Sequence, residues 1–182
     1  MGLAPVFAFT DLSAANINQL PVVVSTLALG SVSNSNAETI IGTFTIPAGT
    51  ITAVNQGFMW MVAGTCGGTA SPNLTLQIRV NNLAGTIIGK AGANAVSVSN
   101  GWWILDGWML FNQVGTSGTF SNIDNNSQNF SGALVPVANG TQATTGTAFN
   151  TTISNSLVVT ALFSVANASN VAATTVGNLY QL

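Results

Sequence analysis

Hydrophobic and polar residues alternate with a period of two along much of the chain. The clearest example is residues 74–80, where leucine, isoleucine and valine alternate with threonine, glutamine and arginine. This period is that of a β-strand with one buried face and one wetter face. Glycine, asparagine, serine and proline interrupt the pattern at short intervals, and the sequence has no long stripe with the 3.6-residue period of a helix. The pattern therefore predicts an all-β protein.

The number and length of the alternating stretches favour a two-sheet antiparallel sandwich that is jelly-roll-like in size. An up-and-down barrel is the alternative architecture. Besides residues 74–80, the predicted strands are Thr39–Ile46 and residues 57–63, 86–90, 101–114, 118–123, 156–164 and 174–182, with residues 22–29 as a further candidate.

Two segments depart from the alternation. Residues 1–37 are apolar and poor in turn residues, and we interpret them as an extended N-terminal arm that lies on another surface. Residues 38–182 then form the sandwich domain. Within this domain, residues 122–146 are rich in Asn, Ser, Thr and Gly, which predicts a long excursion over the surface.

Two of the predicted strands are apolar on both faces. In residues 58–63 and again in residues 102–111, with a bulge predicted at residues 106–107, both alternating sets are hydrophobic. A sandwich strand needs only one apolar face, because its other face meets water. The second face is covered either by the arm and the long excursion or by neighbouring subunits, and we favour neighbours. The side chains expected to contact neighbours are Val6, Phe7, Phe9, Met59, Met61, Trp102, Trp108 and Phe111.

Charged residues are scarce, and their scarcity excludes several classes of function. Lys and Arg total 2, Asp and Glu total 4, and only 3% of residues are charged, where about 25% is typical. Two cations are too few to bind nucleic acid or an anionic membrane surface. The sequence also lacks the run of about 20 apolar residues that a membrane-spanning helix needs. Neutral polar surfaces suit permanent packing against neighbours better than free diffusion.

Candidate catalytic and metal-binding groups are few. Histidine is absent, so the usual partner of a nucleophilic cysteine is missing, and we interpret Cys66 as a packed or turn residue. Asp11 and Glu38 are interpreted as solvated or capping groups. Asp124 starts an Asp-Asn-Asn run that resembles a calcium loop only faintly, since the other ligands are missing. We therefore predict no enzymatic activity, no metal site and no cofactor.

Asp106 has two interpretations. It lies beside Gly107 in the most hydrophobic predicted strand, so one interpretation is a buried carboxyl with a raised pKa. The preferred interpretation is an aspartate at the bulge that bonds local backbone amides or pairs with Arg79 or Lys90.

The tryptophans at positions 102, 103 and 108 also have two interpretations. One is a platform on which sugar rings stack, as they do on aromatic faces in lectins. Because strand alternation turns Trp102 and Trp103 to opposite faces, packing in the core or at an interface is the preferred interpretation.

Several short runs follow one another in a distinctive order between residues 40 and 182. They are IPAGT at 46–50, NLTLQIRV at 73–80, WILDG at 103–107, GTSGT at 115–119, Asn155 leading into LVVT at 157–160, ASN at 168–170 and LYQL at 179–182. In texture and order the chain resembles small tailed-phage virion proteins of jelly-roll type, known as structural, capsid-decoration or minor tail proteins. The resemblance implies a non-enzymatic virion component, often a trimer on the shell. The apolar arm and the Asn-rich segment depart from it.

Together, these observations predict a capsid decoration, or cement, protein on the outer surface of a phage head. It would act mechanically as a homo-oligomer, in the resembling family a trimer. Its apolar strand faces and the arm would be buried against its own copies and the major capsid protein. Two alternatives stay open. One is a tail or fibre protein that binds a host receptor or glycan, and the other is a small shell-forming coat protein.

Overall fold

The computed structural model describes residues 22–69, 71–130, 135–136 and 144–182, and these residues form thirteen β-strands and no helix. The prediction of an all-β protein is confirmed. No helix in these ranges is long and apolar enough to cross a membrane. The strands are β1 (Val22–Thr26), β2 (Ala28–Leu29), β3 (Ser31–Ser33), β4 (Thr39–Ile46), β5 (Gly57–Gly67), β6 (Asn73–Val80), β7 (Ile87–Ala95), β8 (Gly101–Gln113), β9 (Thr119–Asn129), β10 (Val135–Pro136), β11 (Thr144–Ala148), β12 (Asn155–Phe163) and β13 (Val171–Gln181).

The strands form two antiparallel sheets packed as a sandwich, as predicted. The large sheet has the order β1–β13–β5–β8–β9–β10, with β3 added beside β13 and β11 beside β9. The small sheet has the order β2–β4–β12–β6–β7. The barrel alternative is wrong, because the described strands separate into two sheets instead of closing into one.

Eight of the strands are nested in a jelly-roll-like way. β1 pairs with β13, β4 with β12, β5 with β8, and β6 with β7, so the early strands run beside the late ones in reverse order. The nested pairs lie alternately in the two sheets: β1, β13, β5 and β8 are in one sheet, and β4, β12, β6 and β7 are in the other. β9, β10 and β11 follow β8 in the chain and widen the large sheet beyond it.

Alternate residues of each strand fill the core between the sheets. In β6, the side chains of Leu74, Leu76 and Ile78 are fully buried, whereas Thr75 and Arg79 are half-buried on the outer face of the small sheet. The buried apolar face predicted for residues 74–80 is therefore confirmed, whereas Gln77 on the predicted wetter face is also buried, at 8% exposed.

The bulge predicted at residues 106–107 is wrong. β8 pairs with β5 without a register shift, and burial alternates regularly from Gly101 to Phe111, with odd-numbered residues buried. Gly107 faces the core directly opposite Trp60, and a Cβ at Gly107 would overlap with the Trp60 indole. The glycine makes room for a large side chain and leaves the strand straight.

The polar segment predicted as a surface excursion starts as a strand of the large sheet, which corrects that prediction. Residues 122–129 belong to β9 and residues 144–146 to β11, while residues 131–134 and 137–143 lie outside the described residues. The inner face of β9 is polar: Asn122, Asp124, Asn126 and Gln128 are each no more than 4% exposed.

Three of these inward side chains, Asn122, Asp124 and Asn126, bond to the edge of the small sheet. Asn122 Nδ2 donates to the Ile88 carbonyl at 2.6 Å, and Asn126 Nδ2 donates to the Lys90 carbonyl at 3.1 Å. The Lys90 N–H donates to Asp124 Oδ2 at 2.9 Å. Within the described chain, β7 is the last strand of the small sheet on this side. Side chains of β9 therefore take the place of a neighbouring strand and cover an edge to which the strands of other chains could otherwise pair.

Part of the predicted N-terminal arm contributes to both sheets. Residues 1–21, with Val6, Phe7 and Phe9, lie outside the described residues. β1 and β3 pair with β13 of the large sheet, and β2 pairs with β4 of the small sheet. Leu27, between β1 and β2, is 7% exposed and packs in the core. The domain boundary after residue 37 stays a prediction.

Candidate functional site

The outer face of the small sheet carries a salt bridge. Arg79 Nε donates to Glu38 Oε1 at 2.8 Å and Arg79 Nη2 to Glu38 Oε2 at 3.0 Å, while the Thr160 hydroxyl donates to Glu38 Oε1 at 2.6 Å. Burial raises the pKa of the Glu38 carboxyl, but the bonds from Arg79 and Thr160 outweigh burial and lower this pKa overall. The interpretation of Glu38 as a solvated or capping group is wrong, because the carboxylate is bound on both oxygens.

The outer face of the large sheet is apolar instead. Tyr180 of β13, Met59 of β5, Trp108 of β8 and Ile123 of β9 lie opposite one another in register and form a row across four strands. Their side chains share one face because each strand alternates and the pairing has no shift at this row. The row crosses the middle of the large sheet.

Further apolar side chains extend this row along the strands. Met61 is 43% exposed, Trp108 is 42% exposed, and Leu110 and Ile123 are each 41% exposed. Such exposure is large for hydrophobic side chains gathered on one face. The surface formed by Met59, Met61, Ile104, Trp108, Leu110, Ile123 and Tyr180 is called the outer apolar patch.

Asp106 lies within the outer apolar patch. It is opposite Met61 on β5 and Asn125 on β9, and it lines a depression of about 320 Å³ together with Trp108 and Tyr180. Burial raises the pKa of the Asp106 carboxyl, and a hydrogen bond with Asn125 offsets only part of this rise.

The position of Asp106 decides between its two interpretations. Arg79 and Lys90 belong to strands of the small sheet, and no bulge brings backbone amides to Asp106. The preferred interpretation is therefore wrong. The raised pKa agrees with the alternative interpretation of Asp106 as a buried carboxyl, although this carboxyl is only half-buried.

Four of the side chains predicted to contact neighbours lie on the outer face of the large sheet: Met59, Met61 and Trp108 within the outer apolar patch, and Trp102 farther along β8. Phe111 does not. Its ring is fully buried and lies 5.1 Å from Phe149 and 5.8 Å from Phe120, centroid to centroid. Phe111 is one of the odd-numbered residues of β8, whose side chains point into the core. Its assignment to an interface is therefore wrong.

Sequence reasoning missed four residues of the outer apolar patch, Ile104, Leu110, Ile123 and Tyr180. Leu110 has the same parity as Trp108 in β8, so continued alternation would have identified it. Ile123 is an exposed hydrophobic residue between buried polar ones in β9, and this signal was hidden by the interpretation of that segment as a loop.

A larger cavity lies at the other end of the same face. Its volume is about 570 Å³, and it lies where the end of β5, the β7–β8 connection and the β12–β13 connection meet. The residues that give it its chemistry are Thr65, Thr69, Ser99, Asn100, Trp102 and Ser169, and we call it the Trp102 cleft.

Candidate reactive groups lie in the core. Cys66 is 3% exposed, which confirms its interpretation as a packed residue, and burial raises the pKa of its thiol to about 12. A thiol with this pKa stays protonated and is a poor nucleophile near neutral pH. Asp124 is 1% exposed in β9 and bonds to β7, so it does not open a calcium loop. No group of three His, Cys, Asp or Glu residues that could hold a metal occurs in the described ranges.

Comparisons with known proteins give one structural similarity. Neither protein-family models nor curated proteins match the chain. Among solved structures, the chain is similar to the CBM2 module of the evolved Dit of Lactobacillus casei BL23 phage J-1. The two are 12% identical, with a TM-score of 0.32, and the match covers 85% of this chain and 75% of that module.

Proposed function

We propose that this protein is a non-enzymatic virion structural protein, a capsid decoration or cement protein that assembles through the outer apolar patch. The observation that carries the proposal is the exposure of Met61, Trp108, Leu110 and Ile123, each above 40%, on one sheet face. Soluble proteins rarely leave such a surface uncovered, and where they do it is commonly an interface. The sequence resemblance to tailed-phage virion proteins supplies the setting.

The favoured occupant of the patch is a second copy of this chain. Two apolar sheet faces pack well against each other at a spacing of about 10 Å, as the two sheets of a sandwich do. The formal net charge of −2 gives little repulsion between copies, and only 3% of residues are charged. Remaining contacts would be made with the major capsid protein, so that many weak contacts brace the shell.

Self-association is tested on the full-length chain by sedimentation over a range of protein concentrations. Replacing both Trp108 and Ile123 by Ser is expected to weaken association by at least about tenfold, because aromatic and aliphatic anchors dominate interface energies. Ile40→Ser is the matched control, since Ile40 is 40% exposed on the small sheet. A wild-type protein that stays monomeric, or an equal effect of the control, would contradict assembly through the patch.

The capsid setting is tested separately with phage heads that lack decoration. We expect the wild-type protein to bind these heads and raise their resistance to heat, and the Trp108→Ser, Ile123→Ser double variant to lose both effects. If the protein self-associates but does not bind the heads, the patch would still be an interface between copies, and the decoration role would be overturned.

A further inference from the structure

The Trp102 cleft is distinct from the outer apolar patch. Trp102 and Trp108 both face outward from β8 but are separated by six residues, about 20 Å of strand. The volume of about 570 Å³ lies within the usual range of small-molecule sites. What binds there can therefore be examined independently of the proposed assembly function.

The cleft combines an aromatic wall with neutral polar groups. Its lining includes the Trp102 indole, the hydroxyls of Thr65, Thr69 and Ser169, and the amide of Asn100, and none of its described lining residues is charged. Anionic ligands would lack a cation to pair with, and a metal ion would lack carboxylate ligands. A ligand with apolar C–H faces and many hydroxyls fits both halves of the lining.

We propose that the Trp102 cleft binds a neutral saccharide, with one sugar ring stacked on the indole of Trp102 and sugar hydroxyls bonded to the rim. Stacking uses the apolar face of the ring, and the polar rim orients it. The chemical class is defined by this lining, and the identity of the sugar is left to experiment.

The hydrogen bonds on the rim leave Thr69 Oγ1 able to accept a hydrogen bond from a ligand hydroxyl. Ser169 Oγ donates to Asn167 Oδ1 at 2.7 Å, so the proton of Ser169 is already used. In the 2.7 Å contact between Thr69 and Ser169, Thr69 Oγ1 must then be the donor. Its lone pairs remain for an O–H donor from outside, and a sugar hydroxyl is such a donor.

The connections around the cleft are tied together without a ligand. The Gly68 N–H donates to the Val98 carbonyl at 3.0 Å, which joins the β5–β6 and β7–β8 connections. A Cβ at Gly67 would lie 2.8 Å from the Ser99 carbonyl oxygen, so glycine permits this close approach. A cleft that is formed in advance loses less conformational entropy on binding.

The experiment applies the full-length protein to an array of neutral oligosaccharides built from glucose, galactose, mannose, rhamnose and N-acetylglucosamine, with sulfated and sialylated glycans as an anionic set. Bound sugars are then titrated in solution by calorimetry. We expect at least one neutral oligosaccharide to bind and the anionic set to add no affinity. Trp102→Ala should weaken binding by about tenfold or more, because it removes the stacking surface.

Two further variants locate the site. Ile40→Ala, on the outer face of the small sheet, should change the affinity by less than about twofold. Thr69→Val should reduce it about threefold or more through loss of one hydrogen bond. Thr69→Val also tests the site if Trp102→Ala does not fold. The proposal is overturned if no neutral sugar binds at about millimolar concentration, if neither Trp102→Ala nor Thr69→Val weakens binding, or if Trp102→Ala and Ile40→Ala act equally. It is also overturned if Trp102→Ala abolishes self-association or head binding while sugar binding persists, because the cleft would then be a protein contact.

Discussion

Two buried tryptophans of the large sheet each lie against a glycine on the neighbouring strand. Trp60 is opposite Gly107, and Trp103 is opposite Gly64. A Cβ at either glycine would overlap with the facing indole. These pairs fit two of the largest side chains into the core while β5 and β8 remain regularly paired.

The Gly107→Ala variant tests this pairing. We expect it to lower the free energy of unfolding by about 1–3 kcal/mol or more, because the added Cβ would overlap with the Trp60 indole and with the backbone of β9 at Ile123. The control is Gly89→Ala, whose Cβ would find its nearest neighbours at 3.6 Å, an ordinary contact distance. Urea denaturation of both variants measures the difference, and equal stability of the two would count against the role of Gly107.

Alternation predicted most strands but could not predict β9. Residues 74–80 carry a strand signal because their buried positions are aliphatic. In β9 the buried positions include Asn122, Asp124 and Asn126, whose partners on β7 are more than thirty residues away in the chain. A local sequence pattern contains no information about partners so far away in the chain, so these buried polar residues were interpreted as part of a loop.

Asn122→Ala measures what this polar contact between the sheets contributes. It removes the 2.6 Å bond to the Ile88 carbonyl and leaves a buried acceptor without this donor, which is expected to cost about 1–3 kcal/mol of stability. Asn112→Ala is the matched control, because Asn112 bonds to Ser121 in an exposed position and water can replace it. Its effect should stay within about 0.5 kcal/mol. If urea denaturation showed that Asn122→Ala and Asn112→Ala lose equal stability, the buried contact would contribute no more than a surface hydrogen bond.

The two candidate sites differ in how far the sequence could predict them. Met59, Met61 and Trp108 were predicted to contact neighbouring subunits because the two strands that contain them are apolar on both faces. The Trp102 cleft was not predicted as a cavity, because Thr69, Asn100 and Ser169 come from three connections that only the tertiary fold brings together. Phe111 was misassigned because composition shows that a strand is apolar on both faces without showing which face meets the core.

At the scale of the whole molecule, the two outer faces have different chemistry. The small sheet presents the bonded Glu38–Arg79 pair, whereas the large sheet presents the outer apolar patch with Asp106 within it. A molecule with unlike faces can associate through the apolar one while its other face stays hydrated. The ionisation of Asp106 then decides how well the apolar face tolerates a partner.

Self-association should consequently depend on pH through Asp106. The side chains that face this carboxyl are Met61, Asn125 and Tyr180, and burial already raises its pKa above the ordinary value of 3.8. A second copy would desolvate the carboxyl further, so association favours the protonated form. Association should therefore be strongest below this raised pKa and weaken as the pH rises through it.

Asp106→Asn should associate more tightly at neutral pH and lose this pH dependence, whereas Glu38→Gln, which alters the small sheet, should keep it. Sedimentation from about pH 3 to about pH 7 covers the range in which an aspartate titrates. An unchanged pH profile in Asp106→Asn would show that some other group controls the association.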